Sequence, residues 1–301
     1  MPTPFAHRVA SLFAGLLLAW PSAPTAQTAA AAPTPLRGVI VQGQGQGHGP
    51  AEPERQRIEA FVHQIAPLRT DQPLSRWIAP ICPLVTGLPR GPAEEVLARL
   101  SQVAVEVGAP LAPKTTCKPN FVIAVTSDPK GFGRAWRKRD AAIFGDRTPS
   151  TADALLASGA AVIVWHNSSE DPSDGSGLTG DLSKPGERHW AQGSHIFTEM
   201  VRHTRGVAAI VDARQAVGLT TRQIADYVAM AGLAEIRTDG AVEGFPTILA
   251  LFGAPRGRAP KELSTWDLAY LRGLYATDPA DRTQRLKIMA EIEREASRAA
   301  S

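Results

Sequence analysis

The sequence predicts an α+β fold, in which a modest mixed sheet is packed with helices. Helical and strand patterns are mixed without the even βαβ period of a doubly wound protein. No glycine-rich phosphate loop stands between a strand and a helix. Apolar residues make up 44% of the 301 residues, which is enough for a sizeable core. The last element is expected to be a C-terminal amphipathic helix over 279–299, with Leu286, Met289, Ile292 and Ala296 on one face.

The first 26 residues have the layout of a secretory signal peptide. His7 and Arg8 precede an apolar run at 9–20, and a stretch rich in proline and alanine follows. This run is too short for a transmembrane helix, which needs roughly 20 apolar residues, and no later segment is apolar for long enough. We expect cleavage after Ala26 or Ala30. The mature protein is therefore expected to be periplasmic or secreted, with no integral membrane segment.

Residues 27–52 are predicted to be a disordered linker, and residues 53–301 a single domain. The linker contains QGQGQGHG (42–49), which has too little apolar surface to offset the entropy of ordering. Removal of the signal takes away Arg8 and no acid, so the formal net charge of +3 falls by one. A charge so near neutral does not indicate nucleic acid as a partner. The expected partner is an envelope or extracellular component.

Cys82 and Cys117 are expected to form a disulfide. An even pair of cysteines in an exported chain is most simply a disulfide, because the environment is oxidising. The two positions are separated by 35 residues, and closing such a loop contributes roughly 4 kcal/mol in the chain-entropy description. Two free buried thiols are the alternative.

The elements of the domain follow from periodicity and turn signals. Helices are predicted at 53–66, 92–107, around 133–144 and 151–158, and at 195–204, 220–235 and 262–278, the last with Ser264 as N-cap and Asp267 completing a capping box. Strands are predicted at 121–125, 160–166 and 207–213, because short runs of apolar and β-branched residues are typical of buried strands. Residues 167–194 are rich in Gly, Ser, Asp and Pro, and predict a long loop.

The stretch TRQIADYVAMAGLAEI (221–236) has the length and the Gly-Leu exit of a metallopeptidase active-site helix. Residues 247–249 (TIL) follow it, and then comes a helix that opens Leu-Ser-x-x-Asp and closes Leu-Tyr. This layout, at about 205–275, resembles the matrixin-like metzincins. Their His-Glu-x-x-His-x-x-Gly-x-x-His motif binds zinc through three histidines and uses the glutamate as general base. The resemblance implies a zincin-like fold for this part of the chain.

The catalytic residues of that motif are missing. Ala225 and Ala229 stand at the first two histidine positions, Asp226 at the glutamate and Glu235 at the third histidine. Alanine offers no lone pair to a metal. The resemblance thus implies a degenerate site, without metal, cofactor or peptidase activity, on a non-catalytic binding protein that would use the former cleft and the 167–194 loop. The alternative is an ordinary core helix with small residues at helical spacing.

The chain also resembles a family of uncharacterised secreted bacterial proteins. The similar segments are Trp-x-x-Pro-x-Cys-Pro (77–83), Cys-x-x-Asn-Phe (117–121), Ile-Ala-Asp-Tyr-Val-Ala-Met (224–230) and the Leu-Ser-x-x-Asp helix start (263–267). This resemblance covers most of the mature chain and implies no particular activity.

The histidines and one basic cluster leave other possibilities open. A hydrolase with an unrecognised site would use His166, His189, His195 or His203, provided that at least two of them share a cleft with a carboxylate. If residues 195–204 form a helix, His195 and His203 would lie on its solvated face and would not belong to a site. GRAWRKRD (133–140) is interpreted as the exposed face of a short helix, with contact to an anionic polymer as the alternative.

Overall fold

A computed structural model of the chain describes residues 52–68, 72–113, 117–145, 147–172, 200–255 and 258–299. Within these residues, helices pack against a five-stranded, mostly parallel sheet, which confirms the predicted α+β class. The predicted signal peptide (1–26) lies outside the described residues. The predicted linker (27–52) does so too, except for its last residue, which begins the first helix.

The sheet is built around its longest strand. The strands are β1 (Arg76–Trp77), β2 (Pro83–Thr86), β3 (Phe121–Thr126), β4 (Val162–Pro172) and β5 (Met200–Asp212). Strand β5 pairs in parallel with β1 and β3 along one side and antiparallel with β4 along the other, and β2 pairs in parallel with β3. The apolar run FVIAVT of β3 is typical of a strand that is paired on both sides and covered by helices.

Seven α-helices lie within the described residues. They are α1 (Glu52–Ile65), α2 (Arg90–Glu106), α3 (Pro129–Arg139), α4 (Pro149–Leu156), α5 (Thr221–Leu233), α6 (Thr265–Ala276) and α7 (Gln284–Ala299). The predicted capping box of α6 is confirmed, since the Ser264 side chain accepts from the Asp267 N–H and Asp267 accepts from the Ser264 N–H. Thr220 and Gln223 form the same arrangement at α5. Both caps satisfy N–H groups that a helix start leaves without partners.

Alternate residues of the central strands face two separate hydrophobic cores. Val162 and Val207 belong to the larger core, which includes α1, α2, α5 and α6. Their neighbours Ile163 and Ala208 belong to a smaller core that α4 and Phe144 complete. This is the period of two that a strand imposes on its side chains. Helix α5 therefore packs on the face of the sheet that carries the larger core.

Two predictions around β4 and β5 are wrong. Residues 200–204 were expected to continue a helix from 195, but they form the first part of β5. Residues 167–172 were expected to begin a loop, but they extend β4. The cause is long-range pairing, which matches polar residues such as Glu170 and Arg202 across the two strands and overrides local propensity. The rest of the predicted loop, with His189 and His195, lies outside the described residues.

The predicted C-terminal helix is confirmed in type but not in all of its details. It begins at Gln284, after turns that occupy the expected first residues. Ile288 and Ile292 are fully buried, whereas Leu286, which was expected on the apolar face, is 62% exposed. Met289 and Ala296 pack against the core beside Ile292, so three of the four predicted residues lie on the buried side of α7.

The expected disulfide joins Cys82 to Cys117. Asn120 braces the same region, because its Oδ1 accepts from the Cys82 N–H at 2.7 Å and its Nδ2 donates to the Pro80 carbonyl at 3.1 Å. The disulfide therefore ties the start of β2 to the segment that leads into β3. No helix in the described part of the chain is long and apolar enough to cross a membrane.

Candidate functional site

The two alanines at the histidine positions lie in the hydrophobic core. Ala225 is 1% exposed and Ala229 is fully buried. All the residues of α5 from Ile224 to its end are buried as well. The expectation that these alanines border an open cleft is therefore wrong, since neither presents a surface to a ligand.

Asp226, at the position of the general base, holds three elements together. It is fully buried. Its Oδ1 accepts from Arg99 Nε at 2.5 Å, and its Oδ2 accepts from Arg99 Nη2 at 3.3 Å and from the Leu263 N–H at 3.0 Å. The carboxylate thus connects α5 to α2 and to the residue before the N-cap of α6. Both oxygens are engaged, so Asp226 is not placed to accept a proton from a water molecule in a cleft.

Glu235, at the third histidine position, lies beyond the end of α5 and borders a pocket of about 350 Å³. Its Oε1 accepts from Arg202 Nη2 at 2.9 Å, and its Oε2 lies 2.5 Å from Arg202 Nη1. This is an ion pair between the strand β5 and the segment after α5, in which only the Oε1 contact is a hydrogen bond. Of the four degenerate positions, Glu235 is the one that lines this pocket.

The pocket combines apolar walls with converging charges. Two prolines, two leucines and a glutamine from 67–68 and 72–74 form one side. The charged lining residues are Arg202, Glu235, Arg237, Asp239 and Arg285. Arg237 Nε is 3.2 Å from Asp239 Oδ1, and Arg285 Nη2 donates to the Pro67 carbonyl at 3.1 Å. The lining thus brings three guanidinium groups together, and because a guanidinium binds carboxylate or phosphate through paired N–H donors, it suits a ligand that carries an anionic group.

A larger groove of about 740 Å³ runs along α2 beside the disulfide. Glu94 is the charged residue of its lining, and Leu97 and Val105 are among its apolar ones. Small-molecule sites usually combine apolar walls with a few converging polar groups. The pocket at Glu235 meets that description better than this groove, although it is smaller.

His166 is buried on β4, on the same face of the sheet as Val162 and Val164. Burial lowers the pKa of its imidazole to about 4; the nearby Glu235 carboxylate opposes this shift, and Arg147 adds to it. Its Nε2 has no hydrogen-bond partner among the described residues. The imidazole is therefore neutral at neutral pH, beside the pocket lining.

His203 lies on β5 rather than on the solvated helix face that was expected, and it is 6% exposed. Its Nε2 lies 3.0 Å from Ser169 Oγ and 3.3 Å from Asp171 Oδ2. In a Ser-His-Asp triad the serine and the carboxylate contact different ring nitrogens. Here both contact the same nitrogen, so the cluster lacks the geometry of a triad. Burial lowers the pKa of His203, against the attraction of Asp171.

The two candidate histidines within the described residues, His166 and His203, do not share a cleft. His203 on β5 lies directly opposite Ser169 on β4. Ser169 is three residues after His166 in the same strand. Strand alternation therefore places the two imidazoles on opposite faces. Within the described ranges, no group of three or more His, Cys, Asp or Glu side chains could hold a metal ion.

Asp226 and Glu235 are recognisable from the sequence, but their partners are not. Arg99 stands 127 positions before Asp226, and Arg202 stands 33 before Glu235. No local pattern connects residues so far apart. Comparison with known proteins gives no further guide, because no family model, no curated protein and no solved structure matches the chain.

Proposed function

We propose that the protein is a non-catalytic binding protein whose scaffold resembles a degenerate metzincin, and that its ligand occupies the pocket at Glu235. The observation that carries this proposal is the structural use of the former catalytic positions. Ala225 and Ala229 fill the core, and Asp226 is fully engaged by Arg99 and Leu263. A chain that uses these positions for packing retains the helix while lacking the donors for a metal-bound water.

Export from the cytoplasm is part of the proposal. The Cys82–Cys117 disulfide supports it, since disulfides persist mainly in oxidising compartments. The apolar run at 9–20 supports it from the sequence. Mass spectrometry of the mature N-terminus, recovered from the periplasm or medium of an expressing bacterium, is expected to show cleavage after Ala26 or Ala30. Recovery of the intact chain in the cytoplasm with two free thiols would contradict export.

The non-catalytic part of the proposal is tested by metal content. Elemental analysis of the purified protein is expected to find no stoichiometric metal, and treatment with EDTA is expected to leave the melting temperature unchanged. One equivalent of zinc, with a lower melting temperature after chelation, would overturn the proposal.

The location of the ligand is tested by a thermal-shift screen of small anions. Compounds that occupy the pocket are expected to raise the melting temperature of the wild type but not that of Arg237→Gln. Arg258→Gln, which removes an exposed charge elsewhere, is the matched control and should behave as the wild type. Compounds that shift all three proteins equally bind at another place and would contradict the assignment of the pocket.

A hydrolase remains the second candidate, and the contact of Ser169 with His203 is the observation in its favour. It predicts ester or peptide turnover that His203→Gln abolishes. Equal rates for wild type and variant, with both folded, would exclude His203 from any such activity.

A further inference from the structure

Helix α3 presents a basic face that its own fold does not use. Lys130, Arg134 and Lys138 follow one another at intervals of four, so they lie about 6 Å apart along the axis and drift by about 40° per step. All three are exposed, and Arg137 lies on the same side of the helix. We refer to these four residues as the basic face of α3.

The basic face carries more positive charge than its neighbours neutralise. Asp153 of α4 lies 3.8 Å from Arg134 Nε and 3.1 Å from Arg137 Nη1, so one carboxylate serves two guanidinium groups. Lys130 and Lys138 have no ion-pair partner among the described residues. Four cations against one anion leave a net charge of about three on a strip some 12 Å long.

The helix dipole does not explain the whole pattern. Cations in the last turn of a helix are stabilised by the partial negative charge there, and this accounts for Arg137, Lys138 and Arg139. Lys130 and Arg134 lie in the first and second turns, where the dipole does not favour a cation. The dipole therefore does not account for these two cations, and their exposed charges are accessible to a partner outside the chain.

The opposite side of the helix limits what that partner can be. Phe132 and Trp136 pack against the smaller core, and Trp136 lies 6.0 Å from Trp165 between ring centroids. No aromatic ring is therefore left on the basic face to stack on a nucleic-acid base or to enter a bilayer interface. A single row of cations also fits a linear chain of charges better than a plane of headgroups.

We infer that the basic face of α3 binds a linear acidic polysaccharide, which presents a row of carboxylates along a single chain. Lys130, Arg134 and Lys138 each contact one carboxylate. Arg137 supports the face from within the protein, because Asp153 and the Pro149 carbonyl hold its guanidinium group. This interaction surface is separate from the pocket at Glu235 and does not depend on the function proposed for it.

The test uses the full chain and polygalacturonate as the probe. The test variant is K130Q/R134Q/K138Q, and the control is K118Q/R258Q/K261Q, which removes three exposed cations elsewhere. Equal melting temperatures check that both variants are folded. Binding is measured by titration calorimetry over a range of salt concentrations, with a neutral dextran, single-stranded DNA and phosphatidylglycerol vesicles as further probes.

The expected result is a tenfold or larger loss of polygalacturonate affinity in the test variant and less than a twofold loss in the control. The slope of log K against log salt should fall by about two in the test variant, since three charge contacts are removed. Equal losses in both variants, or no binding by the wild type, would overturn the inference. Tighter binding of DNA or vesicles than of polygalacturonate, lost in the test variant, would overturn the choice of partner.

Discussion

Arg99 of α2 forms a bidentate pair with Asp226 of α5, with Nε–Oδ1 and Nη2–Oδ2 distances of 2.5 and 3.3 Å. The Asp226 side chain is fully buried, and that of Arg99 is 10% exposed. Under the proposed metzincin resemblance, Asp226 stands where a glutamate would face a metal-bound water. In this chain the carboxylate position has a structural role, because it binds α2 and α5 on one face of the sheet.

Arg99→Ala is expected to lower the free energy of unfolding by about 3–5 kcal/mol, because it leaves the Asp226 carboxylate buried without a counter-charge. Urea denaturation measures the change. Arg90→Ala on the same helix is the control, since Arg90 is 90% exposed and pairs with the exposed Glu94; it should change stability little. Similar midpoints for the two variants would show that the Arg99 pair does not hold the helices together.

Restoring histidines at Ala225 and Ala229 is expected to destabilise the protein without creating a zinc site. Each imidazole would have to enter a filled core, at a cost of about 1–3 kcal/mol. Ala135→His on the exposed side of α3 is the control and should leave the melting temperature unchanged. Elemental analysis and thermal unfolding test the prediction; one equivalent of zinc with raised stability would mean that the helix still faces a metal cleft.

The sequence predicted those elements whose signals are local. Ser264 and Asp267 define the start of α6 within four residues, and FVIAV contains only residues that suit a buried strand. The first part of β5 was misassigned because its partner strand lies some thirty residues away. His203 and Arg202 look like a helical surface in isolation, and only pairing with Ser169 and Glu170 makes them strand residues.

The candidate site was predictable in part for the same reason. The resemblance identified Glu235 because it stands at a fixed distance from Gly232 in the sequence. The pocket it borders is assembled from residues near 67–74, 202, 237–239 and 285, which no spacing rule connects. Burial of Ala225 and Ala229 also depends on what packs over α5, and a helical pattern alone does not reveal whether that face is open or covered.

Stability is expected to fall as the pH is lowered from about 6.5 to about 4, and His166 is expected to cause much of this loss. Burial lowers the pKa of the folded imidazole from 6.5 to about 4. Between these values the unfolded state binds more protons, so protonation favours unfolding, by about 3 kcal/mol over the whole range. The contribution is complete above the unfolded pKa and is lost on acidification.

Urea denaturation of the wild type and of His166→Phe at several pH values measures this contribution. The variant should show a shallower decline across the same range. His203→Gln should also reduce the decline, because burial lowers the pKa of His203 as well. Parallel curves for the wild type and His166→Phe would contradict the assignment.

Removal of the disulfide by Cys82→Ala/Cys117→Ala is expected to lower the free energy of unfolding by roughly 4 kcal/mol, since the bond closes a loop of 35 residues in the unfolded chain. Denaturation of the oxidised wild type, the reduced wild type and the double variant measures the effect. The last two should agree with each other, because both lack the cross-link. A variant as stable as the oxidised protein would show that the loop is held by Asn120 and its neighbours alone.

Gly232→Ala is expected to lower the free energy of unfolding by about 1–3 kcal/mol through overpacking. A Cβ atom at this position would lie 2.2 Å from Phe121 Cζ. The Phe121 ring stacks on Trp77, whose Nε1 donates to the Gly232 carbonyl at 2.9 Å, so the ring has little freedom to withdraw. Gly232 therefore allows close contact between α5 and β3.

Two variants make this prediction specific to the close contact. Gly91→Ala in the first turn of α2 meets no atom within 4 Å, and it should change the free energy of unfolding by no more than about 0.5 kcal/mol because the position is exposed. Phe121→Leu should recover part of the stability lost in Gly232→Ala, since the smaller side chain leaves room for the added methyl group. Additive losses in the double variant would mean that the glycine is required for a reason other than the Phe121 ring.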